Sequence, residues 1–167
     1  KYLGAPRFVN GKLPLPGRCG RITGLAWTSV GGEILNIECM LLSGRGRIAL
    51  TGRLGDVMKE SVQIALSLVR QRLKRYGVDP DIVRKTDIHI HVPEGAVPKD
   101  GPSAGIAMTL AILSAFTRIP VRPDIAFTGE VSLCGDLLPI GGLNEKSLAA
   151  KEAGVKTVRN LISMDIN

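Results

Sequence analysis

Ile88, Ile90 and Val92 alternate with Asp87, His89 and His91, the period-two pattern of a strand with one buried face. Further upstream, the apolar-rich runs 21–30 and 33–42 flank Gly31-Gly32, which predicts a hairpin turning on the two glycines. A third strand is expected over 47–51. From Asp56 to Tyr76 the period changes: Met58, Val62, Ala65, Leu66, Val69 and Leu73 recur at steps of three and four. That is one apolar stripe along a helix, and Gly77 supplies its stop. Pro102 stands where a helix tolerates proline, in its first turn, so a second helix is predicted over Ser103–Thr117, closed by Pro120. Residues 125–131 read as a buried strand. The turn in Leu137–Gly142 leads to a third helix from about Leu143 to Ala153, ended by Gly154, and 155–158 make a last strand. Strands come first, then helix and strand in alternation. This order implies a single compact α/β domain with a mixed sheet, an N-terminal β-hairpin region preceding the helices, and not a doubly wound sheet.

Composition narrows the class. A chain of 167 residues with 44% hydrophobic positions is long enough for one domain with a real core. Aromatics are 4%, so that core must be aliphatic. No apolar run approaches the ~20 residues of a membrane span, and the first ten residues lack the apolar segment of a signal peptide. Residues 1–17 carry three prolines and three glycines and read as a linker, with the domain running over 18–167; the chain, opening on Lys, is expected to be a fragment of something larger. Cys19, Cys39 and Cys134 are odd in number, with no C-x-x-C pair, which fits a reducing compartment better than a disulfide framework or zinc site. The net charge of +7 suits anionic partners such as nucleic acid. Much of that charge, however, is Arg70, Arg72, Lys74 and Arg75 at the end of the long helix, where cations complement the macrodipole and form a solvated face. The few aromatics make no base-stacking platform.

The chemistry centres on PKDGPSAG, residues 98–105. Gly101-Pro102-Ser103-Ala104-Gly105 matches G-x-S-x-G, the nucleophile elbow, but that elbow wants a strand leading directly into the serine and a later histidine. Here a loop of about nine residues intervenes, and His89 and His91 both precede Ser103. A histidine–aspartate–serine order with Asp100 is left formally open, although Asp100 is too local to orient a histidine that also reaches Ser103. The other base is a lysine, which must be desolvated to work as a neutral amine. Lys99, beside the serine in its loop, is expected to be solvated, and Lys151 and Lys156 fall on polar positions. Lys146 lies on the helix stripe of Gly142, Leu143, Ala149 and Ala150, the stripe expected to face the core. Two readings of it stay open: a general base, or a lysine that buries its stem and keeps its amine wet. Ser103 likewise is either a helix-start cap or a nucleophile beside amides that could hold an oxyanion. His89 and His91 share a strand face, but no partner completes a metal set, which favours structural histidines. No G-x-x-x-x-G-K-[ST] loop is present.

PKDGPSAG, DIHIHVPEGA, TGEVSL, LPIGGLNEK, GLAWTSVGGE and LTGRLGDVMKES together resemble the proteolytic domain of the Lon family of ATP-dependent proteases, over nearly the whole chain. KYLGAPRF resembles the junction with that family's AAA+ ATPase module. The resemblance implies a Lon-type α/β fold and a Ser–Lys dyad, with Ser103 as nucleophile and Lys146 as base. It implies that the Thr128 hydroxyl helps hold the lysine amine. It also implies that Asp100, with Gly101 and Pro102 beside it, belongs to a loop that switches between active and inactive forms. Glu38, His89, His91 and Trp27 match family positions near the site in supporting roles. The function implied is an ATP-dependent serine endopeptidase that degrades unfolded, damaged and regulatory proteins as a homo-hexamer. On this reading the fragment holds no cofactor or metal, and ATP and Mg act in an AAA+ module outside it. The location expected is bacterial cytoplasm or, alternatively, the mitochondrial matrix, with no membrane contact. The alternative is a non-proteolytic Lon-like domain that binds DNA through its basic surface or serves as a ring scaffold. Asn144 stands where the family usually has lysine, the LCGD turn at 133–136 differs, and the tail RNLISMDIN lacks the usual continuation, so the C-terminal end is expected to be truncated.

Overall fold

The computed structural model describes residues 17–28, 31–93 and 99–160. Its strands and α-helices run β1 (Arg21–Thr28), β2 (Gly31–Ser43), β3 (Ile48–Thr51), α1 (Asp56–Arg72), β4 (Thr86–His91), α2 (Gly105–Thr117), β5 (Ile125–Phe127), β6 (Glu130–Val131), β7 (Leu137–Leu138), α3 (Leu143–Glu152) and β8 (Thr157–Arg159). Six strands form one mixed sheet in the order β3-β4-β2-β1-β5-β8, and β6 pairs with β7 apart from it. The β1–β2 and β2–β4 ladders are antiparallel, whereas β3–β4, β1–β5 and β5–β8 are parallel. The expected mixed-sheet α/β domain is what forms. The linker predicted over 1–17 lies, except for Gly17, outside the described residues, as does the tail 161–167.

The sheet is covered on both faces, and the period-two pattern decides which residue goes where. Leu35 and Ile37 turn to the main core, shared with Val62, Ala65 and Val69 of α1 and Ala107, Ala111 and Ile112 of α2. Ile34 and Leu25 turn the other way, against Ala126 and Ala150. Helix α2 is apolar nearly all round and is buried accordingly, while α1 buries Met58, Val62, Ala65, Leu68 and Val69 along one stripe. The last turn of the predicted long helix tightens to a 3-10 turn at Leu73–Tyr76, and Gly77 ends it in the left-handed conformation.

Two elements differ from the sequence expectation. Gly31 and Gly32 do not make the hairpin turn: they belong to β2, pairing with Thr28 and Trp27. Packing explains Gly32, since a Cβ there would lie 2.1 Å from the Glu145 carbonyl oxygen of α3. The single strand predicted over 125–131 is two short strands, β5 and β6, in different sheets. Between them the Thr128 amide still bonds Arg159 of β8, whereas Gly129 leaves the ladder to bond Ser103 and Ile106, and that break builds the site.

Candidate active site

Ser103 sits in a 3-10 turn, Pro102–Ala104, that runs into α2. Gly101 precedes it at φ 127°, a backbone state that residues with a Cβ rarely adopt. The turn is fastened to the β5–β6 break: the Gly129 amide donates to the Ser103 carbonyl at 2.8 Å, and the Ile106 amide donates to the Gly129 carbonyl at 3.1 Å. Thr128, fully buried, donates its hydroxyl to the same Ser103 carbonyl at 3.4 Å. The bond seen for Thr128 therefore goes to the serine's backbone.

The loop before the serine is fastened to α1. The N-cap of that helix, Gly55, has no side chain to offer. Asp100 supplies the missing acceptor from across the fold: its Oδ1 accepts from the Met58 amide at 3.1 Å and from the Gly101 amide at 2.9 Å. A Cβ on Gly55 would fall 2.2 Å from the Asp100 carboxyl carbon, so the glycine makes room for a cap borrowed from elsewhere in the chain.

Lys146 projects from α3 and is 2% exposed; of the stripe expected to face the core only Ala150 is buried with it, whereas Leu143 is exposed. Among the described residues its amine has no carboxylate partner, and desolvation holds its pKa below the ordinary lysine value. Ser103 and Lys146 line one cleft of about 320 Å3, together with Trp27, Asp100, Gly101, Pro102, Glu130 and Lys99. Trp27, 58% exposed, lies against Gly142 at the start of α3 and forms a wall of that cleft.

Lys99 overturns an expectation. It is 5% exposed rather than solvated, because its ammonium is folded inward onto the Glu33 carboxylate of β2. Two buried lysines thus line one cleft, and among the described residues Lys99 has a counter-ion and Lys146 has none. Desolvation without a counter-ion is what lowers the pKa of Lys146. Lys151 and Lys156 are exposed, as their polar positions predict.

Glu38, His89 and His91 lie elsewhere. They line a second hollow of about 570 Å3 that shares no residue with the first. There Thr51 Oγ1 is 3.0 Å from His89 Nε2 and 2.7 Å from His91 Nδ1, and Arg21 pairs with Glu38 at 2.6 Å. Among the described residues no three metal-capable side chains come together. Cys39 is no rival nucleophile, since burial pushes its thiol up to about 12. Sequence reasoning missed Glu33 and the Met58 amide. Both stand in stretches that carry the family resemblance, Glu33 in GLAWTSVGGE and Met58 in LTGRLGDVMKES, but each matters only through a partner far along the chain.

The mixed α/β sheet thus presents a serine at a helix start and a buried lysine on one cleft. Comparison with known proteins gives the family: the Lon protease (S16) C-terminal proteolytic domain matches residues 1–163. The chain belongs to that family. It is 58% identical over 158 residues to Lon protease 1 of Syntrophobacter fumaroxidans, covering 95% of this chain and 19% of that protein. It is 56% identical over 157 residues to the Lon protease of Escherichia coli K12 (94% and 20%), and 54% identical over 156 residues to that of Brevibacillus choshinensis (93% and 20%). The chain therefore spans about a fifth of the length of these relatives. The match does not favour the non-proteolytic alternative.

Proposed function

We propose that this domain hydrolyses peptide bonds with Ser103 as nucleophile and Lys146 as general base. The observation that carries the proposal is a lysine amine without a counter-ion, buried in the cleft that Ser103 lines. The neutral Lys146 amine takes the Ser103 proton as Oγ bonds to the peptide carbonyl carbon. The oxyanion that forms is met by amides at the start of the 3-10 turn, which have no helical acceptor of their own. As the C–N bond breaks, the Lys146 ammonium returns the proton to the leaving amine. Water then attacks the ester, giving a proton to Lys146, and the proton passes back to Ser103 as the acid is released.

Asp100, Gly101 and Pro102 hold the nucleophile turn in this scheme, and Thr128 supports its backbone. Glu38, His89 and His91, gathered in a separate hollow, act on the site at most through the sheet. Membership of the Lon protease family supports a wider proposal. The domain works within an ATP-dependent, hexameric protease of the bacterial cytoplasm whose ATP and Mg act in another module and whose substrates are unfolded or damaged proteins.

Ser103→Ala and Lys146→Ala in the intact protein should each abolish casein hydrolysis, by at least ~1000-fold, with the circular dichroism spectrum unchanged. Residual cleavage within tenfold of the unsubstituted protein in either variant would falsify the dyad. Because the neutral amine is the active form, kcat/KM should rise with pH through a limb lying below the ordinary lysine value.

A further inference from the structure

The first residues of β2 touch both halves of the cleft. Gly32 approaches α3 so closely that a Cβ would lie 2.1 Å from the Glu145 oxygen and 2.8 Å from the Lys146 amide nitrogen. Glu33, the next residue, reaches the other way and binds the Lys99 ammonium in the serine loop, 66 positions along the chain. The Lys99 side chain is 4% exposed and that of Glu33 34%, so the cation depends on its partner while the carboxylate retains some water. The Lys99 backbone is fixed as well: its carbonyl accepts from Gly55 at 2.7 Å and its amide donates to Arg53 at 3.3 Å. With its backbone pinned to the entry of α1 and its side chain to β2, Lys99 fixes the loop that ends in Ser103. One strand end thereby holds the nucleophile's loop by Glu33 and the base's helix by Gly32.

We propose that the Glu33–Lys99 pair is a positioning device for the reaction, setting the Ser103 loop against Lys146 by its geometry and neutralising the charge beside Lys146 by its balance. This rests on the Ser103–Lys146 reading of the cleft. Among the described residues Lys99, Asp100 and Glu130 line the cleft with Lys146, Glu33 is paired with Lys99, and Glu145 precedes Lys146 on its own helix. Removing one member of the pair leaves the other as an uncompensated charge near the base, and the two removals act with opposite signs. Lys99→Met leaves a free carboxylate, which favours the protonated Lys146, so the rising limb of kcat/KM moves to higher pH. Glu33→Gln leaves a free ammonium, which disfavours it, so the limb moves to lower pH.

The test is the pH profile of kcat/KM for a fluorogenic peptide, measured on the intact protein, with a peptidyl boronate used to detect the adduct on Ser103. Each single variant should lose activity by about 10- to 100-fold at its optimum and shift its limb by on the order of one pH unit, in opposite directions. Glu33→Gln/Lys99→Met should return the limb to that of the unsubstituted protein while activity stays low. A pair that only stabilises the fold would lower activity without moving the limb. Should Lys99→Met fail to fold, the near-isosteric Glu33→Gln decides alone by its downward shift. A boronate adduct with unmoved limbs, or with shifts of the same sign, overturns the positioning role. Absence of any adduct on Ser103 in the unsubstituted protein overturns the dyad reading instead.

Discussion

Lys146 is a burden on the fold and an asset to the chemistry, and both follow from its desolvation. An amine held below its ordinary pKa binds fewer protons folded than unfolded between the two pKa values, so across that window stability rises with pH. Below the folded value the burden is complete; above the unfolded value of 10.5 it disappears. Lys146→Met, which keeps the length and removes the charge, should therefore raise the melting temperature near neutral pH. The gain is about 2–4 °C for each kcal/mol of relieved desolvation in a domain of this size. The difference between variant and parent should shrink as pH approaches 10.5. A difference that is independent of pH would show that Lys146 folds as the ammonium. The burial of this residue was legible because a helix has a period, and Lys146 shares a stripe with Ala150. Lys99 lies in a loop with no period to read. Its burial depends on Glu33, a partner that neither spacing nor composition points to.

The elements carry the site through contacts between residues distant in the chain. Asp100 caps α1 from outside the helix, so one carboxylate links helix stability to the geometry of the serine turn. Asp100→Ala should cost about 0.5–2 kcal/mol, the usual worth of an N-cap, read as a lower urea midpoint. Asp100→Asn, which keeps an acceptor oxygen, should recover most of it. Gly55→Ala should resemble Asp100→Ala, because the new Cβ displaces the carboxyl group. If Gly55→Ala leaves the midpoint unchanged, Asp100 is not the cap. Helix α1 could be placed from the sequence by its apolar period, and α2 and α3 by the prolines and glycines that bound them. The strand predicted over 125–131 could not: Ile125–Phe127 and Val131 read as one segment, yet Gly129 between them donates its amide to Ser103 and accepts from Ile106. The predicted hairpin forms, but its turn was misplaced for a related reason. Gly-Gly reads as a turn, but Gly32 was needed for the close approach of α3.

At the scale of the whole molecule, the sheet order β3-β4-β2-β1-β5-β8 was beyond the sequence. Local patterns say that strands exist and which face is apolar, whereas the parallel pairings join segments tens of residues apart. The same order puts β2 near the middle of the sheet, and with it Cys39, which faces the main core at 8% exposure. Cys19 and Cys134 are exposed. The three thiols should consequently divide into two kinetic classes. In the native state a disulfide reagent such as Ellman's should titrate two thiols rapidly, on the time scale of free cysteine. The third should react only as the molecule opens, because its thiol is both covered and held up to about 12. Its position in the cluster shared by α1, α2 and the sheet makes that opening global rather than local. Low concentrations of urea should speed the slow class with the full slope of equilibrium unfolding. Asp100→Ala should speed it by the same free energy that it removes from the urea midpoint. Modification of the two fast thiols should leave peptide cleavage in place, as neither Cys19 nor Cys134 lines the cleft of Ser103 and Lys146. Three thiols reacting together in the native state would mean that β2 is not buried between the helices, and the placement of Glu33 and Gly32 against the two halves of the site would fall with it.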